Sequence, residues 1–90
     1  MDAMAEPVKC DAELDATGLI CPLPVLRANR ALKSLPVGAR LKVRATDPAA
    51  KSDFPAYCRT SGHILEWSGE HDGEFIFVVR KAGMVESADA

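Results

Sequence analysis

The sequence predicts an α+β domain, a two-layer α/β sandwich with the element order βαβαββ. Ninety residues suffice for one small domain. Two segments with the alternating period of a strand flank a segment with the period of a helix, which predicts parallel strands joined by a crossover. A second helical region and a hairpin complete a four-stranded mixed sheet. Because three of the strands show one polar face, both helices are expected on the other face.

The first half of the chain predicts strand, helix and strand. Residues 11–16 alternate between apolar and acidic side chains, as a half-buried strand does. Residues 22–35 bring apolar side chains, Val25 among them, to one side of a helix, with Pro22 in its first turn. Residues 40–45 alternate again, with basic side chains outward. The acidic and basic outer faces favour pairing of the two strands.

The second helical region contains a proline. Asp47-Pro48 opens the region, and Pro55 stands inside it. Because proline lacks the backbone N–H of a helix interior, we expect a short first turn and a restart with Ser52 or Asp53 as the N-cap.

The last third of the chain predicts an antiparallel hairpin. Gly62 is expected to end the second helix. Residues 63–68 and 74–80 are predicted strands around a turn at residues 69–73. The last strand is apolar on both faces, which suits a central position in the sheet.

Composition and charge exclude several classes of protein. An apolar fraction of 48% and a charged fraction of 27% are those of a globular domain. A net charge of −2 lacks the basic excess of a nucleic-acid binder, so no direct nucleic-acid binding is expected. No apolar run approaches the length of a membrane span, and the N-terminus does not resemble a secretory signal. We therefore expect a cytoplasmic protein without disulfides among its three cysteines.

The predicted domain has three parts. Residues 1–9 and 82–90 show no periodicity and are expected to be flexible. Residues 10–81 are expected to form the ordered domain, with a monomer as the default state.

Cys21 is the most informative residue for chemistry. It stands at the predicted start of the first helix, between Gly18 and the prolines Pro22 and Pro24. The first N–H groups of a helix and its dipole favour negative charge, so the position predicts a thiol of lowered pKa and raised nucleophilicity. The alternative is a small buried hydrophobe beside a loop, as many cysteines are.

A candidate docking face follows Cys21 on the first helix. Leu23 and Leu26 project to the same side, next to Arg27 and Arg30. Exposed apolar side chains ringed by arginine are typical of partner-docking surfaces. The alternative is an ordinary solvated helix face.

Other cysteines and histidines give weaker candidates. Cys58 follows Phe54 by four residues on an apolar helix face, so core packing is favoured over a resolving or second carrier role. Cys10 is read as incidental. A zinc site built from Cys58, His63 and His71 matches no standard spacing, so no metal is expected. Nothing in the sequence directs His63 at Cys21.

The chain resembles the TusA/SirA-like family of small sulfur carrier proteins. The resemblance starts from the family's Cys-Pro-x-Pro motif, here Cys21-Pro22-Leu23-Pro24, preceded by Gly18. It continues through D-P-A at residues 47–49 and D-F-P-A-Y-C at residues 53–58, which favour the TusA branch. It covers about residues 11–81 and implies the same βαβαββ sandwich.

The resemblance implies a function for Cys21. The family cysteine accepts sulfane sulfur as a persulfide from a cysteine desulfurase or a rhodanese and relays it to a downstream acceptor protein. Such routes feed 2-thiouridine synthesis in tRNA, other sulfur-requiring pathways or sulfur oxidation. We expect no cofactor, no membrane partner and no turnover of a small substrate by this chain alone. The rival hypotheses are a non-catalytic interaction or regulatory module and a thiol redox sensor.

Overall fold

The computed structural model describes residues 10–83. The predicted flexible ends therefore lie outside the described residues, except for residues 82 and 83. Ala82 donates its backbone N–H to Nδ1 of His63 at 3.1 Å. The observed element order matches the predicted βαβαββ: β1 (Ala12–Ala16), α1 (Leu23–Lys33), β2 (Arg40–Ala45), α2 (Ala50–Ser61), β3 (Ile64–His71) and β4 (Glu74–Arg80).

The strands form one mixed sheet in the order β1-β2-β4-β3. β1 and β2 pair in parallel, and β4 pairs antiparallel with both β2 and β3. The predicted central position of the last strand is confirmed, since β4 lies between two neighbours and buries Phe75 to Val79. Charge complementarity between the parallel strands is also present. Lys42 lies 3.8 Å from Glu13, and Arg44 lies 3.7 Å from Asp15.

Both helices pack on one face of the sheet, as predicted. α1 buries Ala28 and Leu32, and α2 buries Phe54 and Cys58 in the same core. The ring of Phe54 stacks on that of Phe77 in β4 with centroids 4.5 Å apart. Neither described helix has the length and apolar character that a membrane crossing requires.

The first helix begins one residue later than predicted. Pro22 is the N-cap residue and makes no side-chain cap, and Leu23 opens the helix. Pro24 therefore occupies the second helical position, where a backbone N–H has no partner within the helix.

The predicted interruption of the second helix is wrong. α2 runs without a break from Ala50 to Ser61 with Pro55 inside it, and its N-cap is Ala49 rather than Ser52 or Asp53. Ala49 has no side-chain cap, but its own N–H bonds to Oδ1 of Asp47 at 3.2 Å. Phe54 and Cys58 are one turn apart, on either side of Pro55, and both are buried against the sheet. Their packing keeps the helix continuous through the proline. Gly62 ends the helix at φ 90°, as predicted.

The hairpin turn is shorter than predicted. β3 extends to His71, so that only Asp72 and Gly73 connect it to β4. Both residues have positive φ, 54° and 81°. An Asp-Gly pair with positive φ at both positions is the favoured two-residue connection because its twist matches that of the strands.

The sheet face opposite the helices carries an ion-pair network. Glu66 in β3 accepts hydrogen bonds from Nε of Arg40 and Nε of Arg80, both at 2.6 Å. These bonds link β2, β3 and β4 near a bulge between Leu65 and Trp67. The two arginines lower the pKa of the Glu66 carboxyl through their hydrogen bonds and their charge.

Candidate functional site

Cys21 lies in the connection between β1 and α1. The chain leaves β1 through Gly18, which adopts φ 83° and donates its N–H to Oγ1 of Thr46 at 2.9 Å. A side chain is rarely tolerated at that φ, which explains the glycine. The connection then closes with a hydrogen bond from the N–H of Leu23 to the carbonyl of Ile20 at 2.8 Å. This turn presents the Cys21 side chain to solvent.

Asp47 fixes the backbone at Cys21. Its Oδ2 accepts the N–H of Cys21 at 2.7 Å, while its Oδ1 accepts the N–H of Ala49. One carboxylate therefore ties the start of α1 to the start of α2. The peptide bond between Cys21 and Pro22 is cis.

The predicted lowering of the Cys21 pKa is wrong. The pKa of the thiol lies above its ordinary value, first because the Asp53 side chain accepts its hydrogen bond, then because of partial desolvation and the charges of Asp53 and Asp47. Cys21 also stands one residue before the N-cap, outside the helix itself. Sequence reasoning did not place these two carboxylates beside Cys21.

The start of α1 offers few open N–H groups. Leu23 donates to Ile20, Pro24 has no N–H, and Leu26 donates to the carbonyl of Pro22. In the first turn, only the backbone N–H of Val25 has no hydrogen-bond acceptor among the residues described here. The helix end is thus a weaker site for negative charge than the sequence suggested.

An open groove of about 330 Å³ runs from Cys21 between the two helices. Pro22 and Val25 form one wall, and Asp53 and Tyr57 belong to the other. The sequence analysis did not anticipate this groove, because it is formed by residues of two helices that meet only in the folded chain.

Tyr57 links the two helices through a hydrogen bond. Its hydroxyl donates a hydrogen bond to Oδ1 of Asn29 at 2.8 Å. Partial burial raises its pKa to about 12, so the phenol remains neutral at physiological pH. Tyr57 therefore contributes a neutral, oriented ring to the groove.

The predicted docking residues lie together on the exposed face of α1. Leu23 and Leu26 are 39% and 55% exposed, and Arg27 and Arg30 are exposed beside them. Ile20 adds a third apolar side chain at 68% exposure. The sequence signal for Ile20 was the apolar pair Leu19-Ile20 in a short connection, of which only Leu19 packs against the core.

The other cysteines and histidines differ in their burial. Cys58 is buried in the core, where desolvation raises its pKa to about 11. Cys10 is partly exposed just before β1. His63 is buried at the end of α2, and His71 is exposed beside Asp72 in the hairpin. Within residues 10–83, no three potential metal ligands come together.

Comparison with known proteins gives a consistent family. Residues 12–81 match the family model described as Sulfurtransferase TusA. The chain is 43% identical over 81 residues to the sulfur carrier protein TusA of Pseudomonas syringae, covering 87% of this chain and 96% of that protein. It is 52% identical over 67 residues to a putative sulfur carrier protein of Neisseria meningitidis, covering 74% and 90%.

Two further comparisons extend this result. The chain is 46% identical over 72 residues to the sulfur carrier protein TusA of Allochromatium vinosum, covering 80% of this chain and 95% of that protein. The crystal structure of a SirA-like protein from Desulfitobacterium hafniense superposes with a TM-score of 0.69 at 24% identity, covering 79% and 97%. The latter likeness shows the shared fold.

Proposed function

Since this chain belongs to the TusA sulfurtransferase family, we propose that it is a sulfur carrier whose Cys21 accepts sulfane sulfur as a persulfide. One observation carries the assignment to Cys21. It is exposed, while Cys58 is buried and Cys10 is only partly exposed. It also stands in the Cys-Pro-x-Pro motif at the mouth of the groove.

The transfer requires no net redox change. The Cys21 thiolate attacks the outer sulfur of the donor's persulfide, and a new S–S bond forms as the donor's own S–S bond breaks. The donor cysteine leaves as a thiolate and takes the proton of the transferred sulfur or one from solvent. Delivery repeats the step: the acceptor's thiolate attacks the outer sulfur on Cys21, and Cys21 leaves as a thiolate.

The donor is proposed to be a cysteine desulfurase or a rhodanese, and the acceptor a sulfur-relay protein. The relatives are named sulfur carrier proteins, which supports a sulfur relay. A cytoplasmic location for this relay is part of the proposal. 2-Thiouridine synthesis in tRNA and sulfur oxidation are the candidate destinations of the sulfur.

Partner recognition is assigned to the exposed face of α1. The groove at Cys21 is open, so the chain by itself encloses no small substrate. Leu23, Leu26, Arg27 and Arg30 stand within one to three helical turns of the sulfur and offer apolar and charged contacts together. Gly18, Pro22 and Pro24 set the path of the chain that presents Cys21.

Two rival functions use the same surface. A redox sensor with an internal disulfide needs a second thiol within bonding distance. Cys58, the other cysteine on the helical layer, is buried in the core. A non-catalytic interaction module needs no thiol and would tolerate Cys21→Ser, which makes that variant the decisive one.

The test is sulfur loading followed by intact-mass spectrometry. Incubation with a cysteine desulfurase, pyridoxal phosphate and cysteine is expected to add one sulfur atom, which reductant removes. Cys21→Ser abolishes the adduct, while Cys58→Ser and Cys10→Ser retain it. An adduct that persists in Cys21→Ser assigns the carrier role to another thiol. Absence of an adduct with every desulfurase and rhodanese tried favours the interaction module.

A further inference from the structure

The groove beside Cys21 is acidic on one side. Asp53 from α2 lines the same groove as Cys21 and is the main cause of the raised pKa of the Cys21 thiol. Asp47, from the loop before α2, bonds to the N–H of Cys21 at 2.7 Å. The wall from α1 contributes Pro22 and Val25, which carry no charge. The sulfur therefore faces a carboxylate across the groove.

No positive side chain in the described part of the chain offsets this charge at the sulfur. Neither Arg27 nor Arg30 lines the groove, although both lie on α1. Every contribution to the pKa of the Cys21 thiol raises it, and none comes from a lysine or an arginine. The basic face of α1 and the acidic groove are thus separate surfaces.

We propose that Asp53 is the specificity-determining residue for reactions at Cys21: its carboxylate lines the same groove as the sulfur and disfavours anionic sulfur compounds there. This inference rests on the proposed function, because it names a residue that controls the same sulfur. It follows that small anionic donors load Cys21 poorly. A protein donor that brings a neutral or cationic group to the groove is favoured.

The first test compares two charged disulfides, cystamine with two ammonium groups and dithiodiglycolate with two carboxylates. The Cys21 thiolate attacks one sulfur, the probe's S–S bond breaks, a mixed disulfide forms and one thiolate leaves. The ratio of the two rates is independent of the thiolate fraction, because both probes meet the same nucleophile. Cys10→Ser with Cys58→Ser provides a background in which only Cys21 reacts.

Asp53→Asn is expected to lower the cystamine-to-dithiodiglycolate ratio about tenfold at low salt. The magnitude follows from about a threefold effect on each probe, in opposite directions, for unit charges ~6 Å apart in water. The effect should shrink as the ionic strength rises.

The second test is the pH profile of alkylation by iodoacetamide, which is uncharged. In Asp53→Asn the midpoint moves to lower pH, because the carboxylate that raises the thiol pKa is gone. The rate at pH 7 rises, and the plateau at high pH falls, since a thiolate of lower pKa is the weaker nucleophile. A purely structural role for Asp53 would not give this opposite pair of changes.

Three further variants complete the comparison. Asp53→Glu keeps the charge and is expected to retain the wild-type ratio of the two disulfide rates and the wild-type midpoint of the alkylation profile. Asp72→Asn, at the exposed hairpin tip, removes one charge far from the groove and should leave both unchanged. Asp53→Ser is a second charge-free variant in case Asp53→Asn does not fold.

An unchanged ratio and an unchanged midpoint in the folded charge-free variant overturn the proposal. Neither test uses a persulfide donor, so a failure of sulfur loading is distinguishable from a failure of this inference.

Discussion

Cys21 and Asp53 are 32 positions apart in the sequence, yet their side chains interact. The motif around Cys21 made the cysteine recognisable from the sequence and placed it at the start of a helix. The predicted sign of its pKa shift was wrong, because it considered only the local helix end. The carboxylate that raises the pKa of the thiol belongs to Asp53 in α2. No local sequence pattern around Cys21 indicates that Asp53 packs beside it.

The first prediction concerns the relative reactivity of the cysteines. Cys21 is expected to be alkylated first by iodoacetamide at pH 8, because it is exposed while Cys58 is buried. With a pKa of about 11, Cys58 is a thiolate in about one molecule in a thousand at pH 8. Peptide mass mapping after brief treatment measures the order.

The same experiment in Cys10→Ser isolates the comparison between Cys21 and Cys58. Labelling of Cys58 before Cys21 would show that α2 opens faster than the groove admits the reagent, and would contradict the assignment of Cys21 as the reactive thiol.

At the scale of the element, α2 shows how tertiary packing overrides a local signal. The N–H that Pro55 lacks would have bonded to the carbonyl of Lys51, one turn earlier, where the side chain is exposed and water is available. Burial of Phe54 and Cys58 on the other side keeps the helix continuous. The sequence showed the proline but not how firmly its neighbours pack.

Pro55→Ala is expected to raise the free energy of unfolding by about 1–2 kcal/mol. The gain from a restored helical hydrogen bond, up to about 3 kcal/mol, is reduced because proline also restricts the unfolded chain. Urea unfolding followed by far-UV circular dichroism measures it. A loss of stability would mean that the ring of Pro55 makes packing contacts worth more than the hydrogen bond.

The ion pairs on the open sheet face give a pH-dependent prediction. Glu66 binds Arg40 and Arg80, and its pKa is lowered in the folded state. A depressed carboxyl pKa adds stability above the unfolded value of 4.5, and that stability is lost as the pH falls through the folded pKa. Glu66→Gln is expected to cost about 1 kcal/mol at pH 7 and progressively less below pH 4.5.

Urea unfolding at pH 7, 5 and 4 checks this prediction. Glu70→Gln, an exposed position on the same strand, is the matched control and should change stability little at any of these pH values. A cost for Glu66→Gln that does not depend on pH would contradict an electrostatic role for the network.

The strands were predictable to different degrees. The alternation in β1 and β2 and the apolar run of β4 indicated their positions and the central place of β4. The end of β3 was misplaced because Gly69 suggested a turn, although the Asp72-Gly73 pair carried the stronger signal. In the fold, the Trp67 ring lies over Gly69, which leaves no room for a Cβ there. This close approach, rather than a turn, accounts for the glycine.

At the scale of the whole molecule, charge is divided around Cys21. The acidic groove lies between the helices, and the basic residues Arg27 and Arg30 lie with Leu23 and Leu26 on the outer face of α1. The small net charge of −2 gives no indication that acidic and basic residues are separated in this way. Because α1 begins directly after the Cys21-Pro22 pair, a partner that docks at the sulfur is expected to contact both surfaces, with acidic groups over α1 and a neutral or cationic group at the groove.

The docking face is tested by charge reversal. Arg27→Glu combined with Arg30→Glu is expected to leave the fold intact, because both side chains are exposed opposite Ala28 and Leu32, which α1 buries. Association with the sulfur donor should slow at low salt, and the difference from wild type should shrink as salt rises, because exposed charges act mainly by steering the encounter.

Lys51→Glu, exposed at the start of α2, is a control away from the face. Stopped-flow association kinetics at two salt concentrations make the measurement, and equal rates for the wild type and the double variant at low salt would show that the basic face is only solvated.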